Sequence, residues 1–404
     1  MRIVITGATG LIGQNLLFEI IKQNLRNLHN VQIIVLGRDK DGNNIHKRIK
    51  EMVLNEGIPY VTRDKSDIGA IREYCQSSII SIYADLSKKK LGLKDKEYRE
   101  LKKTPIDFFF HLAAVTDLRD MPRIEHTLVK VNVGGTKQIL ELISSLKVRE
   151  FCYTGTAYSC GDIAGSIKPD YINRSNKFRN PYEKTKLDAE LLVRDFARKT
   201  KTRCRYFRPS VTCGRLIEQP LGAVNKFDVF YGWAAFFFQV KIKELANGKD
   251  IYDKPLKLDM RIRYNLKSGL NIVPADFVAK TMYQICVQND SDESYYLVNN
   301  QETPHGVYIP LMLQSFNIAG PRQVDVIPDD MNHLERLYYK TVGKVFTPYI
   351  TSDPILFDTS NLSDVLHRAN LKCPVVDEKN FLLLMDYAKK HDFGIDKNNE
   401  SAVL

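Results

Sequence analysis

The stretch Thr6-Gly7-Ala8-Thr9-Gly10-Leu11-Ile12-Gly13 decides the fold of this chain. It joins a short apolar strand, Arg2 to Thr6, to a segment from Leu11 to Gln23 in which apolar residues recur at helical spacing. Glycine permits a sharp turn, a close approach of backbone to ligand, and tight packing of the helix on the strand. The free N–H groups at the start of such a helix attract phosphate, so the stretch predicts a loop that holds the pyrophosphate of a dinucleotide. The predicted contacts are Gly7, Thr9, Gly10, Leu11, Ile12 and Gly13.

The rest of the first half alternates strands with helices. Short apolar runs, each followed by helix-forming sequence, indicate further parallel strands. This alternation is typical of an α/β fold of the Rossmann type, in which a doubly wound parallel sheet carries helices on both faces. The predicted strands are Val31 to Leu36, Ile79 to Ala84, Phe108 to Leu112, Glu150 to Thr154 and Thr202 to Arg208.

The alternation of strands and helices ends after residue 210, where aromatic runs and a polar loop follow. We therefore expect an NAD(P)-binding Rossmann domain over residues 1–212 and a smaller, mainly substrate-binding region over residues 213–395. Segments around residues 270–300, including Tyr295 to Asn299, are expected to return to the Rossmann sheet. The polar residues 396–404 are predicted to form a frayed tail.

The composition restricts the classes of partner. The 404 residues carry a formal charge of +11, yet lysine and arginine are spread along the chain and no nucleic-acid-binding module is recognisable. A basic surface also suits anionic ligands, such as a phosphorylated cofactor or an acidic carrier protein. The seven cysteines are scattered without CxxC or Cys/His clusters, which predicts free thiols in a reducing, cytoplasmic compartment and no metal site.

No segment predicts a membrane span or a signal peptide. A span needs roughly 18 uninterrupted apolar residues, and the nearest run, Phe227 to Val240, is shorter and contains Asp228 and Gln239. That run is expected to form a core helix, with the lining of an acyl channel as the alternative. The first strand begins at Arg2, which leaves no room for a signal peptide, so we expect a soluble protein.

Residues at the ends of other strands predict how the rest of the dinucleotide is held. Arg38 follows the second strand, where an acidic residue would normally accept hydrogen bonds from the ribose. A guanidinium cannot accept hydrogen bonds but can clamp a 2′-phosphate, which favours NADPH over NADH. The alternative is a solvated turn in which Arg38 pairs with Asp39. The other predicted contacts are Asp85 and Leu86, near the adenine, and Ala113 and Ala114, whose small side chains let the cofactor pass close to the backbone.

Tyr182 and Lys186 form the candidate acid–base pair. They lie four residues apart on a predicted helix and therefore share one face, whereas Lys184 points away from Tyr182. A phenol has a pKa near 10 and is a poor acid–base group at neutral pH. The neighbouring ammonium is expected to lower the pKa of Tyr182 and to reach the nicotinamide ribose.

A hydroxyl partner for Tyr182 is expected just past the fifth strand. Three hydroxyls are available in YTGTAYS, and Thr156 is the one that we predict to be catalytic. Thr154 and Ser159 are expected only to cap a turn. Because no metal-ligand cluster and no Ser-His-Asp arrangement accompanies these residues, hydride transfer is the chemistry that they support.

The same residues resemble those of the extended short-chain dehydrogenases, and within them the fatty acyl-CoA reductases and thioester reductase domains. By position, Thr156, Tyr182 and Lys186 match the catalytic trio of that family, and Asn132 matches a position that supports its framework. Gly155 departs from the pattern, because a serine usually precedes the catalytic threonine. The loop that closes over the nicotinamide is matched by Pro209, Ser210, Val211 and Thr212. The stretches that carry the resemblance are TGATGLIG, VLGRD, ADLSKKKLGL, HLAAVTDL, VNVGGTKQILEL, GTAYS, PYEKTK, RPSVTCG and VPADFVA.

The resemblance implies a reductase that uses NADPH, in preference to NADH, to convert an acyl thioester to an aldehyde or alcohol. The thioester is expected to arrive in trans, on coenzyme A or on an acidic carrier protein. Two alternatives stay open: a nucleotide-sugar epimerase, dehydratase or reductase of the extended type, and a non-catalytic NADPH-binding sensor or scaffold. Arg38 favours the thioester reductase over the first alternative, because such sugar enzymes usually use NAD. The intact trio argues against the second.

Overall fold

A seven-stranded sheet forms the centre of the fold. The computed structural model describes residues 1–245 and 251–395, so the predicted frayed tail at 396–404 lies outside the described residues. The strands of the sheet, numbered β1 to β7 in chain order, are Arg2–Thr6, Gln32–Gly37, Ile79–Tyr83, Ile106–His111, Val148–Thr154, Arg203–Pro209 and Ser294–Leu297.

Every neighbouring pair in this sheet runs parallel, in the order β7-β6-β5-β4-β1-β2-β3. The chain builds from β1 outward to β3 and then crosses back to β4, so the strand order reverses between β1 and β4. Ligands of such sheets bind outside the carboxyl ends of the strands at this point. The predicted Rossmann-type fold is confirmed, and β2 to β6 begin and end within two residues of the predicted strands.

Helices cover both faces of the sheet. Those that bear on the site are numbered α1 to α8 in chain order: Leu11–Gln23, Gly135–Ile143, Pro181–Thr200, Phe230–Glu244, Ala275–Val287, His305–Ser315, Val342–Ile350 and Glu378–Lys390. The other α-helices are Ile45–Met52, Ile58–Val61, Asp67–Ser77, Asp95–Lys102, Pro122–Leu128, His333–Lys340 and Ser363–Arg368. Short strands outside the sheet are Gly165–Ile167, Val211–Cys213, Leu256–Lys257, Arg261–Arg263, Gly269–Leu270, Ile272–Pro274, Thr303–Pro304, Ile318–Ala319, Arg322–Val324 and Ile355–Phe357. Turns of 3-10 or π helix are Leu25–Asn30, Val53–Gly57, Lys89–Gly92, Val129–Gly134, Ala157–Cys160, Ser360–Leu362 and Asp392–Gly394.

Alternate residues of each strand face two different apolar layers. Ile3 and Ile5 of β1 pack in the layer that includes α1 and α5, whereas Val4 packs in the layer that includes α2 and α3. Strands buried on both faces read as continuous apolar runs, which is why the sequence pattern revealed them so clearly.

A third apolar cluster lies around α4. The aromatic run from Phe227 to Val240 forms most of this helix, and Phe230, Trp233 and Phe237 are at most 1% exposed. The prediction of a core helix is therefore confirmed. Packed against it are side chains from the C-terminal third of the chain, namely Tyr308 of α6, Phe346 of α7 and Phe381 of α8.

The last strand of the sheet comes from the second half of the chain. Ser294–Leu297 pairs in parallel with β6, and α5 packs on α1. Asp276 of α5 also accepts the backbone N–H groups of Ile217 and Glu218, at 2.7 and 2.8 Å, and so fastens the segment that follows β6. The segment around residues 270–300 thus contributes a strand and a helix beside the Rossmann layers, while the domain division at residue 212 stays a prediction.

A buried ion pair joins β6 to α3 behind the carboxyl edge of β5. Arg208 and Glu190 are both fully buried, with Nη2–Oε1 and Nε–Oε2 distances of 2.6 and 2.9 Å. Arg194 also bonds the same carboxylate. Arg208 first, and then Arg194, hold the pKa of Glu190 below its ordinary value in spite of its burial. Such a pair fixes the relative position of strand and helix, because removing one partner leaves an uncompensated buried charge.

Candidate active site

Two adjoining cavities open at the carboxyl edge of the sheet. The larger has a volume of about 850 Å³ and the smaller about 410 Å³, and Gly7, Gly10, Leu112, Ala114 and Val115 line both. Every residue predicted to contact cofactor or substrate lines one of the two. The larger cavity holds Leu11, Ile12, Gly13, Thr156, Tyr182, Lys186, Pro209, Ser210, Val211 and Thr212, and the smaller holds Thr9, Arg38, Asp85, Leu86 and Ala113.

The glycine loop is shaped by backbone contacts that exclude side chains. Gly7 has φ +75°, and a Cβ there would lie 2.6 Å from the backbone nitrogen of Ala113. A Cβ on Gly13 would lie 2.1 Å from the carbonyl oxygen of Gly7. Helix α1 then begins after Gly10 without a side-chain cap, and its first residues, Leu11, Ile12 and Gly13, line the larger cavity. These features fit the pyrophosphate of a dinucleotide.

The smaller cavity contains an arginine, Arg48, that the sequence patterns did not single out. Arg48, on the helix Ile45–Met52, donates from Nη1 to the carbonyl oxygen of Arg38 at 2.7 Å and from Nη2 to Thr9 Oγ1 at 3.2 Å. Asp39 accepts the backbone N–H of Ile45, the first residue of that helix, at 2.9 Å, and Asn44 caps the helix by accepting the N–H of Lys47 at 2.8 Å. Arg38 and Asp39 are both exposed, so the choice between a clamp for a 2′-phosphate and a solvated turn stays a prediction.

Tyr182 and Lys186 reach the larger cavity from the first turns of α3. Asn180 caps this helix by accepting the N–H of Glu183 at 3.1 Å, and Pro181 occupies the first turn. Lys186 is 4% exposed, and its Nζ donates to the carbonyl oxygen of Thr154 at 2.5 Å. Lys184 is exposed, as its position in the helix predicted.

Burial changes the acidity of both groups. The pKa of Tyr182 is raised above its ordinary value, first by burial and then by the charges of Asp228 and Glu183, although a hydrogen bond with Thr156 offsets part of the rise. Burial lowers the pKa of Lys186 to about 7. The expectation that Lys186 lowers the pKa of Tyr182 is therefore wrong for this structure: desolvation dominates, and the lysine bonds the end of β5.

The three hydroxyls that follow β5 are used differently. Thr156 Oγ1 accepts the N–H of Tyr158 at 3.4 Å, and the same hydroxyl hydrogen bonds Tyr182. Ser159 donates to the carbonyl oxygen of Thr156 at 2.7 Å, as expected of a turn cap. Thr154 was expected to do the same, but its hydroxyl is buried without a partner among the described residues. The capping role predicted for Thr154 is wrong.

The structure explains two further residues that were compared with the family pattern, Gly155 and Asn132. Gly155 replaces the usual serine where a Cβ would lie 3.3 Å from Glu190 Oε2 and 3.5 Å from Arg208 Cγ, so a larger residue would press on the buried ion pair. The Asn132 side chain hydrogen bonds both backbone groups of Val115: it accepts the N–H at 2.8 Å and donates to the carbonyl oxygen at 3.0 Å. These two bonds to the backbone of Val115 explain how Asn132 supports the framework.

The far end of the larger cavity is apolar. It is formed by the beginning of α4 and by α7, which are more than a hundred residues apart in sequence. No local sequence pattern links these two segments. The alternative considered for the aromatic run, that it lines an acyl channel, anticipated only the contribution of α4. The apolar lining residues are Phe227, Val229, Phe230, Trp233, Val342, Val345 and Phe346.

One group of potential metal ligands lies away from the cavities. Glu150, Cys152 and Cys286 bring their ligand atoms within 4.8 Å of one another, although the sequence pattern does not reveal it. Arg205 hydrogen bonds the Glu150 carboxylate, and burial raises the pKa of Cys152 well above its ordinary value. The carboxylate is thus already paired and the thiol stays protonated, so this group does not suit a cation.

Comparison with known proteins assigns the chain to a family. The profile of the family described as "Male sterility protein" matches residues 5–282, which is more than half of the 404 residues. The chain therefore belongs to this family. It is an extended short-chain dehydrogenase/reductase of the fatty acyl-CoA reductase and thioester reductase subgroup, a class of NAD(P)-dependent oxidoreductases.

Individual relatives are distant and mostly longer. The chain is 21% identical over 398 residues to one of the subunits of linear gramicidin synthase from Brevibacillus parabrevis, covering 95% of this chain and 7% of that protein. It is 30% identical over 160 residues to fatty acyl-CoA reductase 1 of Xenopus laevis, covering 39% of this chain and 28% of that protein. The chain thus spans less than a third of the length of these relatives.

Solved structures share the fold. The terminal R domain of the myxalamid PKS-NRPS biosynthetic pathway superposes with a TM-score of 0.70 at 19% identity, covering 97% of this chain and 91% of that one. A UDP-glucuronic acid 4-epimerase from Bacillus cereus in complex with NAD gives a TM-score of 0.57 at 15% identity, with 100% of both chains covered. Within residues 1–245 and 251–395, no helix is long and apolar enough to cross a membrane.

Replacing Lys186 by methionine should change stability in a pH-dependent way. The pKa of about 7 in the folded protein lies below the roughly 10.4 of an unfolded lysine. The unfolded chain therefore binds more protons between these values, so burying Lys186 costs most at and below pH 7 and nothing above about pH 10.4. The change in melting temperature of Lys186→Met, relative to the unsubstituted protein, should be more favourable at pH 7 than at pH 10.

The control is Lys184→Met, which changes an exposed lysine of the same helix and should shift the melting temperature little at either pH. Loss of the hydrogen bond to Thr154 affects both pH values alike, so only the difference between them reports the buried charge. An equal shift for Lys186→Met at pH 7 and pH 10 would contradict the lowered pKa.

Proposed function

We propose that this protein reduces an acyl thioester to an aldehyde or alcohol with NADPH. One observation carries the proposal: a single cavity is lined both by Thr156, Tyr182 and Lys186 and by the apolar side chains at the start of α4 and in α7. The first set suits acid–base chemistry at a carbonyl, and the second suits an apolar acyl chain. Reactant and catalytic hydroxyls would therefore meet in one cavity.

The cofactor would be held by the glycine loop and the two arginines of the smaller cavity. Arg48 bonds the backbone of Arg38 and the side chain of Thr9, which holds its guanidinium beside the loop. Two guanidinium groups suit a 2′-phosphate, and an acidic ribose ligand is missing at Arg38. We therefore propose NADPH, in preference to NADH, as the source of the transferred hydride.

Tyr182 and Thr156 would stabilise the carbonyl oxygen as it becomes negative. Because its pKa is raised, Tyr182 is a neutral hydrogen-bond donor at pH 7, which is the form that a reduction needs. The Thr156 hydroxyl lies beside Tyr182, to which it is hydrogen bonded, and its oxygen also accepts the N–H of Tyr158. Lys186 lies behind them with a pKa of about 7, poised to hold or release a proton. Donors aimed at a developing oxyanion are each worth about 10²- to 10³-fold in rate.

The thioester would be presented in trans by coenzyme A or an acidic carrier protein. The formal charge of +11 favours either anionic partner. One structural neighbour is a thiolation-reductase di-domain from an archaeal non-ribosomal peptide synthetase. All seven cysteines are free thiols, and on that basis we place the protein in the cytoplasm.

A nucleotide-sugar epimerase, dehydratase or reductase is the second candidate. It is favoured by the fold match to the UDP-glucuronic acid 4-epimerase from Bacillus cereus. The apolar far wall and the paired arginines argue against it, because a sugar needs polar partners and the sugar enzymes usually use NAD. A non-catalytic NADPH sensor would need no Thr156, Tyr182 and Lys186 in one cavity.

Tyr182→Phe tests the proposal. The purified protein is supplied with NADPH and acyl-CoAs of graded chain length, and NADPH oxidation and product masses are followed. Removal of the donor should lower kcat on the order of a hundredfold, with cofactor binding retained. Thr156→Val should act in the same direction. Full NADPH oxidation by Tyr182→Phe, or turnover of a sugar nucleotide but of no thioester, would overturn the assignment.

Arg48→Ala tests the choice of cofactor. Loss of a charge-assisted contact of about 1.5–3 kcal/mol should raise the dissociation constant of NADPH roughly ten- to a hundredfold. The affinity for NADH, which has no 2′-phosphate, should change little. Arg63→Ala provides a control, since that arginine lies outside both cavities. Equal weakening of NADPH and NADH would exclude a contact with the 2′-phosphate.

A further inference from the structure

Tyr349 of α7 hydrogen bonds the two residues that enclose Tyr182 in the first turn of α3. Its hydroxyl donates to Glu183 Oε1 at 2.8 Å and accepts an N–H of Asn180 Nδ2 at 2.6 Å. Asn180 caps the helix and Glu183 is its third residue, so the two partners lie on either side of Tyr182 in the sequence. The Tyr349 hydroxyl therefore joins both ends of the short segment that carries Tyr182.

These hydrogen bonds are buried and belong to a larger network. Glu183 is fully buried, whereas Asn180 and Tyr349 are 6% and 9% exposed. The other oxygen of Glu183, Oε2, accepts the backbone N–H of Arg179 at 3.0 Å. The Arg179 guanidinium lies 3.5 Å from Glu183 Oε1 and over the ring of Tyr349, 5.3 Å from its centroid. Because the low local dielectric strengthens buried hydrogen bonds, the network holds the start of α3 in one geometry.

The same tyrosine is part of the wall of the larger cavity. Tyr349 and Tyr182 both line it, and so do Phe346 and Ile350 of α7. Tyr349 comes from the C-terminal third of the chain, outside residues 5–282, which the family profile matches. One phenol thus connects the helix that forms part of the apolar wall to the turn that carries Tyr182.

We propose that Tyr349 is a positioning residue, which holds Tyr182 where its hydroxyl can donate to the carbonyl oxygen of the substrate. The inference rests on the proposed function, because that function makes Tyr182 the hydrogen-bond donor. Misplacement of a reacting group by about 1 Å can lower a rate on the order of a hundredfold. Since both ends of the turn are bonded to Tyr349, loss of this one hydroxyl would loosen the turn while Tyr182 itself stays in place of its own sequence.

Tyr349→Phe tests the inference, because it removes the hydroxyl and keeps the ring that lines the cavity. With NADPH and the acyl-CoA that the unsubstituted protein reduces fastest, kcat should fall about tenfold and KM should change less than about twofold. Tyr339→Phe is the matched control. The Tyr339 hydroxyl also donates one bond, to the carbonyl oxygen of Arg261 at 3.1 Å, and accepts one, from the N–H of Arg263 at 3.0 Å. Because Tyr339 lines neither cavity, this control should keep the unsubstituted kcat.

A double-mutant cycle separates positioning from a general role in the fold. If Tyr349 acts through Tyr182, Tyr349→Phe should lower kcat no further in a protein that already carries Tyr182→Phe. All variants are assayed at a temperature at which circular dichroism shows them to be folded. An equal loss in both backgrounds, or a loss that Tyr339→Phe reproduces, would show a structural role and overturn the inference.

The unsubstituted protein distinguishes the two levels of the account. Turnover of a thioester by the unsubstituted protein together with an unchanged kcat in Tyr349→Phe would overturn this inference alone. Failure of the unsubstituted protein to reduce any thioester would overturn the proposed function and this inference with it.

Discussion

The close approach of Gly7 to the backbone of Ala113 governs the whole carboxyl edge of the sheet. A single carbon at Gly7 would lie 2.6 Å from the nitrogen of Ala113, so β1 and β4 can lie side by side at their ends only with glycine at this position. Helix α1 begins four residues later, after Gly10, with no side-chain cap on its first N–H groups. Both cavities share these residues, and neither could keep its shape if the loop moved.

Burial decides the chemistry at the other end of the cavity. Desolvation raises the pKa of Tyr182 and lowers that of Lys186 to about 7, which keeps the phenol neutral and leaves the lysine near its titration point. The buried pair of Arg208 and Glu190 lies directly behind Gly155 and keeps the end of β5 in place. A neutral hydrogen-bond donor suits a reaction in which negative charge develops on an oxygen.

The sequence predicted the parts of the site that depend on local pattern. The glycine loop, the strand ends and the spacing of Tyr182 and Lys186 are all read within short windows, and the fold follows from strands buried on both faces. Arg48 was missed because its place depends on how the helix Ile45–Met52 packs beside β2. The wall formed by α4 and α7 was missed because it joins distant segments. Thr154 was misread because only the packed structure shows that its hydroxyl lacks a partner.

Deuterium transfer tests the central claim of thioester reduction most directly. The protein is incubated with an acyl-CoA and NADPH that carries deuterium at its transferable position, and the products are identified by mass. The expected product is an aldehyde with one deuterium on the former carbonyl carbon, or an alcohol with two, together with an equal amount of free coenzyme A. Recovery of every acyl-CoA intact and without deuterium, while a sugar nucleotide is converted without net NADPH consumption, would contradict it.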